Sequence, residues 1–272
     1  VDGDQPAEIR ARNILIATGS EARLLPGLRP DGRTVLTNKE ILDLESVPKS
    51  LIVIGAGALG VEFASIFAQF GSEVTVLEML PRILPAEDHE ISQEIVKILK
   101  KKRIQFLTGV RIDEVRTEEG SVQVRLTAED GAARSLAAEK VLVAVGRRPV
   151  SDGLGLEKFN VSLSRDFISV DASMRTNVPG IYAIGDVVPT PALAHVASHE
   201  GILAMRHIAG ERVEPIDYDL VPSCIYCHPE VARVGLTEAA ARERGFDVIT
   251  PADRRRPARL RGPPGCRCRE RC

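Results

Sequence analysis

The sequence has no apolar run approaching the 18 or more residues a bilayer requires, and no basic stretch followed by an apolar core at its start. The first absence leaves a membrane reading unsupported and the second a secretory one, so no membrane partner is expected and the expected location is the cytoplasm. The net charge is only −2, which gives no electrostatic reason to expect a nucleic-acid partner. Cysteine is scarce. Of the five, Cys224 and Cys227 fit C-x-x-C, but Ile225 and Tyr226 between them, with Pro222 before and Pro229 after, indicate a strand. Residues i and i+3 of a strand point to opposite faces, so no redox pair is expected there. Cys266, Cys268 and Cys272 lack a nearby fourth ligand, so no metal site is expected.

The ends of the chain depart from its middle. Pro251–Cys272 holds eight Arg, two acids and four Pro without periodicity, so +6 of charge lies there and −8 in Val1–Thr250. A basic arm for polyanions is one reading of such a tail; a shifted reading frame or simple disorder suits the abrupt change of composition better. At the other end, Val1 is not Met, and Ile14–Ile16 reads as an interior strand with no partner sequence before it. The chain is therefore expected to be a fragment, cut at the front and aberrant over 251–272.

What the sequence does contain is material for one large or two ordinary domains, at 44% hydrophobic and 27% charged over 272 residues. Its most informative segment is Leu51–Glu78. The apolar run Leu51–Ile54 suits a strand buried on both faces of a parallel sheet. Gly55, Gly57 and Gly60 then form G-x-G-x-x-G, which permits a tight turn, close approach of backbone to a pyrophosphate, and packing of helix on strand. The helix that follows places Leu59, Phe63, Ile66, Phe67 and Phe70 on one stripe, and Gly71 stands where a left-handed cap is expected. A second strand, Glu73–Leu77, delivers Glu78, whose carboxylate can accept from adenosine ribose hydroxyls and would repel a ribose phosphate. NAD is expected over NADP, with Arg82 four residues on as the one group able to soften the discrimination.

Around this unit the pattern alternates strand and helix. Asn13–Ala17 reads as a strand ending in the small-residue turn Thr18-Gly19-Ser20, and Asp88–Lys102 as a helix with Ile91, Ile95, Ile98 and Leu99 inward. Ile104–Leu107, Ser121–Leu126, a hairpin at Asp130-Gly131 and the buried run Val141–Val145 complete a βαβαβ unit with an antiparallel insert. Ile168–Val170 and Gly180–Ile184 are two further strands, the second ending in Gly185-Asp186, before a helix over Leu193–Ala209. Asp219–Arg233 reads as a strand pair and Thr237–Arg244 as a helix capped by Thr237 and stopped at Gly245, too little to stand as a domain.

Three motifs accompany the glycine turn: Ala17-Thr18-Gly19, Gly146-Arg147-Arg148-Pro149, and Tyr182-Ala183-Ile184-Gly185-Asp186 with Leu193-Ala194-His195. Together they resemble the flavin-dependent pyridine-nucleotide disulfide oxidoreductases over about Ile9–Thr250. Within that family, Glu78-Met79-Leu80-Pro81-Arg82-Ile83-Leu84-Pro85 and Ile225-Tyr226-Cys227-His228-Pro229-Glu230-Val231-Ala232 are most similar to the branch that oxidises dihydrolipoamide. Soluble transhydrogenases, mercuric reductases and NADH oxidases share the nucleotide motifs, and a nucleotide-binding fragment without activity is the reading from another class.

The resemblance implies an α/β fold in which a Rossmann-like NAD domain is inserted in a partial FAD-binding domain, followed by the start of a C-terminal dimerisation domain. The implied segments are 1–46 and 151–216 for FAD, 47–150 for NAD, 217–250 for dimerisation and 251–272 for the tail. It implies FAD and NAD as cofactors, a homodimer, and lipoyl-bearing subunits of 2-oxoacid dehydrogenase complexes as partners. Asp186 would bond the ribityl chain, with backbone at Thr18, Gly19, Ser20, Leu193, Ala194 and His195 lining the flavin site. Gly146 would approach NAD and Glu62 would sit near the nicotinamide, paired in the family with a Lys upstream of Val1. The redox disulfide would likewise lie upstream, and the catalytic His-Glu pair beyond Thr250, so no catalytic residue is assigned here. His199-Glu200 and His228-Pro229-Glu230 echo that pair superficially and read as surface or packing residues.

Overall fold

The computed structural model describes residues 9–249 and the backbone of Arg259–Arg261. In chain order the strands are β1 (Ile14–Ile16), β2 (Ser20–Ala22), β3 (Val35–Leu36), β4 (Ser50–Ile54), β5 (Glu73–Leu77), β6 (Gln105–Leu107), β7 (Arg111–Glu118), β8 (Ser121–Thr127), β9 (Ala133–Ala138) and β10 (Lys140–Val143). They continue as β11 (Arg147–Pro149), β12 (Leu163–Ser164), β13 (Phe167–Ile168), β14 (Ile181–Ala183), β15 (Ser223–Ile225), β16 (Val231–Arg233), β17 (Asp247–Ile249) and β18 (Arg259–Arg261). The helices are α1 (Ala58–Gln69), α2 (His89–Lys101), α3 (Ala194–Ile208) and α4 (Glu238–Glu243). The chain is α/β and divides into two units, residues 9–23 with 146–221 and residues 24–145 with 222–249.

That division differs from the expected 46/47, 150/151 and 216/217 boundaries. Residues 24–46 belong with the glycine-turn unit because Val35 and Leu36 pair with β10 and are buried. Residues 146–150 leave it because β11 pairs with β2. The segment after Val221 packs into the core around α1, where Ile225, Cys227 and Val231 are buried. The expected disorder of the 251–272 tail lies outside the described residues, apart from β18, whose backbone pairs with β17.

In the larger unit five parallel strands run in the order β3-β10-β4-β5-β6. The run β4-α1-β5-α2-β6 is the expected βαβαβ unit, and β7-β8-β9 form the antiparallel insert before the chain re-enters the sheet at β10. Every residue of Leu51–Ile54 is buried, as a strand covered on both faces requires. One face packs on Val61, Phe63, Ala64 and Phe67 of α1 with Ile95 and Leu99 of α2, and the other on Val122, Val124 and Leu126 of the insert.

The expected inner stripes of both helices need correction. On α1, Ile66 and Phe70 are 37% and 64% exposed, while Gly60, Val61, Ala64 and Ser65 are buried. Small residues bring the helix against the sheet, and the large side chains at 66 and 70 are rotated onto a groove with Ile41, Leu42, Leu44 and Val47. On α2 the inner face is Ser92, Ile95 and Leu99, with Ile91 exposed. Gly71 does end α1 at φ +100°, and Thr237 Oγ1 caps α4 by accepting from Ala240 N.

In the smaller unit β1 and β14 pair in parallel, Ile14 opposite Ile181 and Ile16 opposite Ala183, so the turns after the two strands emerge side by side. Ile16 and Ile181 pack against Ile168, Ala183, Val187 and Val188. The face of α3 carrying Leu203 and Ala204 packs with Met174 and Tyr182. No helix among the described residues is long and apolar enough to cross a membrane.

Candidate functional site: a glycine turn and an aspartate turn

In the larger unit, register brings the glycine turn and the acid together. Ile54 lies opposite Leu77, so Gly55 and Ala56 leave the sheet beside Glu78. Glu78 Oε2 accepts from Ala56 N at 2.7 Å, and its Oε1 accepts from Leu80 N at 2.8 Å. Each carboxylate oxygen has a second lone pair to offer.

The three glycines are glycine for different reasons. A Cβ on Gly55, at φ +104°, would run into the carbonyl oxygen of Ala144, and one on Gly60 into the carbonyl oxygen of Gly55. Both are required by the protein's own packing. Gly57 has an ordinary φ of −72°, and a Cβ there would meet nothing within 4 Å. Its missing side chain leaves space in front of α1, which has no side-chain cap and no acid in its first turn. Unsatisfied amides at a helix start, an open approach and an acceptor for hydroxyls at the rim fit a diphosphate attached to a sugar diol. Arg82 is committed elsewhere: its Nη1 donates to the Glu87 carbonyl at 2.8 Å and its Nη2 to that of Pro85 at 2.7 Å.

Glu62, on α1, accepts from Tyr226 N at 2.8 Å, and Ser65 Oγ accepts from His228 N at 3.1 Å. The outer side of α1 thus anchors the loop between β15 and β16. Cys224 in β15 and Cys227 in this loop are free thiols. Burial pushes the Cys227 thiol up, and its Sγ donates to the Pro229 carbonyl at 3.0 Å, which suits an inert core residue. Among the described residues no metal-binding cluster assembles.

In the smaller unit Ser20 and Asp186, 166 residues apart, meet at the ends of β1 and β14. Ser20 Oγ donates to Asp186 Oδ2 at 2.6 Å. Arg147 is the third member: its Nε donates to Ser20 Oγ and its Nη2 to the Ser20 carbonyl, both at 2.6 Å, and Nε lies 3.6 Å from Asp186 Oδ2. Thr18 Oγ1 donates to the Val150 carbonyl at 2.6 Å, and Gly19 O accepts from Val150 N at 2.9 Å. The Gly146 carbonyl accepts from Arg23 N at 2.9 Å in this same unit. Asp186 keeps a side-chain exposure of 26%, enough for a hydroxyl to reach it.

Leu193 is the N-cap of α3, again with no side-chain cap, and Ala194 and His195 are exposed in its first turn. In the loop between Asp186 and α3, Thr190 Oγ1 is buried with no hydrogen-bond partner among the described residues. An orphan acceptor, an open helix start and a part-exposed carboxylate form a donor and acceptor set suited to a polyhydroxylated phosphate ester.

Two residues of this unit that carry polar contacts are not evident from motif reading. One is Arg147. The other is Glu200, expected at the surface or as packing, which is fully buried and accepts from Gly185 N and from the Tyr218 hydroxyl. The signal for Glu200 is its place between Val196 and Leu203 on the apolar face of α3, where an acid needs partners.

Comparison with known proteins agrees with this geometry. A family model described as pyridine nucleotide-disulphide oxidoreductase matches residues 1–201, and one described as the dimerisation domain of that family matches 221–253. Dihydrolipoyl dehydrogenase of Bacillus subtilis is 46% identical over 248 residues, covering 91% of this chain and 52% of the relative. The enzyme of the same name from Chlorobaculum tepidum is 47% identical over 238 residues, covering 88% and 51%. Among solved structures, LpdA of Mycobacterium tuberculosis matches with a TM-score of 0.80 at 33% identity, covering 87% of this chain and 51% of that one. The HOCl-induced flavoprotein disulfide reductase RclA of Escherichia coli matches with a TM-score of 0.80 at 31% identity, covering 89% and 55%. The chain spans about half the length of the curated relatives it matches. With a family model matched over most of its length and both turns in place, the chain belongs to the pyridine nucleotide-disulphide oxidoreductase family.

Proposed function

We propose that this chain supplies the NAD-binding region and part of the FAD-binding region of a homodimeric flavoprotein that oxidises dihydrolipoamide with NAD, the lipoyl groups being carried by subunits of 2-oxoacid dehydrogenase complexes. The observation that carries the reading is the Glu78 carboxylate held at the glycine turn by the Ala56 amide, beside the space Gly57 leaves open. The names of the most similar relatives support the substrate, and the match of 221–253 to a dimerisation domain supports the homodimer. The two described free thiols are in keeping with a reducing cytoplasm.

FAD, when bound, would supply a two-electron relay between a dithiol and NAD. The chain's own residues bind and orient. The open first-turn amides of α1 after Gly57 would receive the diphosphate of NAD, and Glu78, already bonded to the Ala56 amide, would accept from the adenosine ribose. Glu62 would border the nicotinamide end. Asp186 would accept from the ribityl hydroxyls, and the backbone of Thr18, Gly19, Ser20, Leu193, Ala194 and His195 would line the flavin site. Ser20 and Arg147 hold Asp186 from behind.

The test is a turnover assay on the full-length protein, with FAD content measured from its visible spectrum. The expected result is NADH formation from NAD and dihydrolipoamide, and little NADPH from NADP. Reduction of glutathione disulfide or mercuric ion in place of dihydrolipoamide oxidation would overturn the substrate, and equal use of NADP would overturn the role given to Glu78.

A further inference from the structure

Glu200 is the most deeply buried charged residue described, at 0% exposure, and it does not belong to any motif of nucleotide binding. A buried carboxylate is costly unless its oxygens receive hydrogen bonds. Oε2 accepts from Gly185 N at 2.6 Å and Oε1 from the Tyr218 hydroxyl at 2.9 Å. Gly185 sits at φ +72°, and a Cβ on it would stand 3.2 Å from the Cβ of Ala197, so the turn is pressed onto α3 one helical turn before Glu200. The next residue in the turn is Asp186, whose carboxylate is held on its other side by Ser20.

We propose that Glu200 is a positioning residue for the flavin site, its carboxylate fixing the Gly185 amide and so the direction in which Asp186 presents its side chain. The inference rests on the reading of this unit as an FAD site. Tyr218 completes the device: burial first, then its hydrogen bond to Glu200, pushes its ionisation well above the ordinary tyrosine value, so the hydroxyl stays a donor. A glutamine in place of Glu200 can still accept from Gly185 N while its amide donates to the Tyr218 oxygen. Leucine can do neither and leaves a buried amide without a partner.

The test compares the full-length protein with its Glu200→Gln and Glu200→Leu variants, by FAD titration of the apoprotein and by hydrogen exchange at the Gly185 amide. The expected result is slow exchange and near-normal FAD affinity in Glu200→Gln, with fast exchange and FAD affinity weakened at least about tenfold in Glu200→Leu. If Glu200→Leu does not fold, Glu200→Asp keeps the charge but shortens the reach, and is expected to speed Gly185 exchange and weaken FAD. Unchanged FAD affinity and unchanged Gly185 exchange in the folded variant overturn the inference. An unsubstituted protein that binds no FAD overturns instead the functional reading on which it rests.

Discussion

Glu78 and Ala56, 22 residues apart, are joined by a 2.7 Å hydrogen bond from the Ala56 amide to the carboxylate. The bond exists because β4 and β5 are parallel and in register, so the turn leaving one strand meets the acid ending the other. One side chain therefore shapes the glycine turn and presents an acceptor to whatever enters it.

Replacing Glu78 with Ala removes both the acceptor and the charge that opposes a ribose phosphate. NAD affinity of the full-length protein is expected to fall about tenfold to a hundredfold, the range for hydrogen bonds to charged groups, with NADP affinity unchanged or improved. Titration with both nucleotides checks this. Since Arg82 is tied to the Glu87 and Pro85 carbonyls, Arg82→Ala is expected to loosen that loop without shifting the preference. Equal losses for NAD and NADP in Glu78→Ala would remove the basis for the cofactor assignment.

The glycines can be separated by what fills the space beside them. Gly57→Ser puts a favoured helix-capping residue at an ordinary φ with free space around it, so thermal stability should hold or rise. The same side chain enters the approach to α1, so NAD binding should weaken by roughly tenfold or more, on the order of a lost backbone contact. Gly60→Ala forces its Cβ into the Gly55 carbonyl, and loss of fold is the expected outcome. A Gly57→Ser protein that binds NAD normally would show that the open space is not the diphosphate path.

These contrasts mark how far the sequence could be read. The strand-turn-helix-strand run and the position of Glu78 are local, set by periodicity and by glycines within thirty residues, and they are found where the pattern puts them. The helix stripes differ at Ile66, Phe70 and Ile91 because size alone does not set depth: close packing of α1 on the sheet needs Gly60 and Ala64, and while Phe63 and Phe67 stay buried, Ile66 and Phe70 are turned outward. The role of Arg147 is not local: its partners Ser20 and Asp186 lie 127 and 39 residues away, in β2 and in the turn after β14. Of the surface and packing readings open for Glu200, its spacing from Val196 and Leu203 selects packing, and its polar partners come from residues outside α3 that periodicity does not reveal.

Cys224 and Cys227 are expected to behave as unrelated thiols. Burial raises the Cys227 thiol, with the nearby Glu62 carboxylate adding to the effect, so its thiolate forms only at a pH above the ordinary cysteine range. Alkylation by iodoacetamide near pH 8, read site by site by mass spectrometry, should modify Cys224 first and Cys227 slowly, the Cys227 rate still climbing as pH rises. Rapid modification of both at equal rates, or recovery of a Cys224–Cys227 disulfide from gentle oxidation, would reopen the redox reading.

Thr37 and Glu40 give a pH-dependent term in stability. The Thr37 hydroxyl donates to Glu40 Oε2 at 2.5 Å and the Thr37 amide to the same oxygen at 2.8 Å. The hydroxyl bond holds the Glu40 carboxyl below the usual carboxylate range, with burial opposing and the amide assisting. Because the folded value is the lower one, this contribution is present above the unfolded glutamate value of about 4.3 and is lost as pH falls through the folded value. Thr37→Val keeps the shape of this buried side chain and deletes the hydroxyl, so it is expected to cost roughly 0.5–1.5 kcal/mol near pH 7. Urea unfolding of both proteins across the acid range should show that difference shrinking as Glu40 takes up its proton in either state. A gap that stays constant down to pH values where both proteins unfold would mean that the hydroxyl contributes through packing alone.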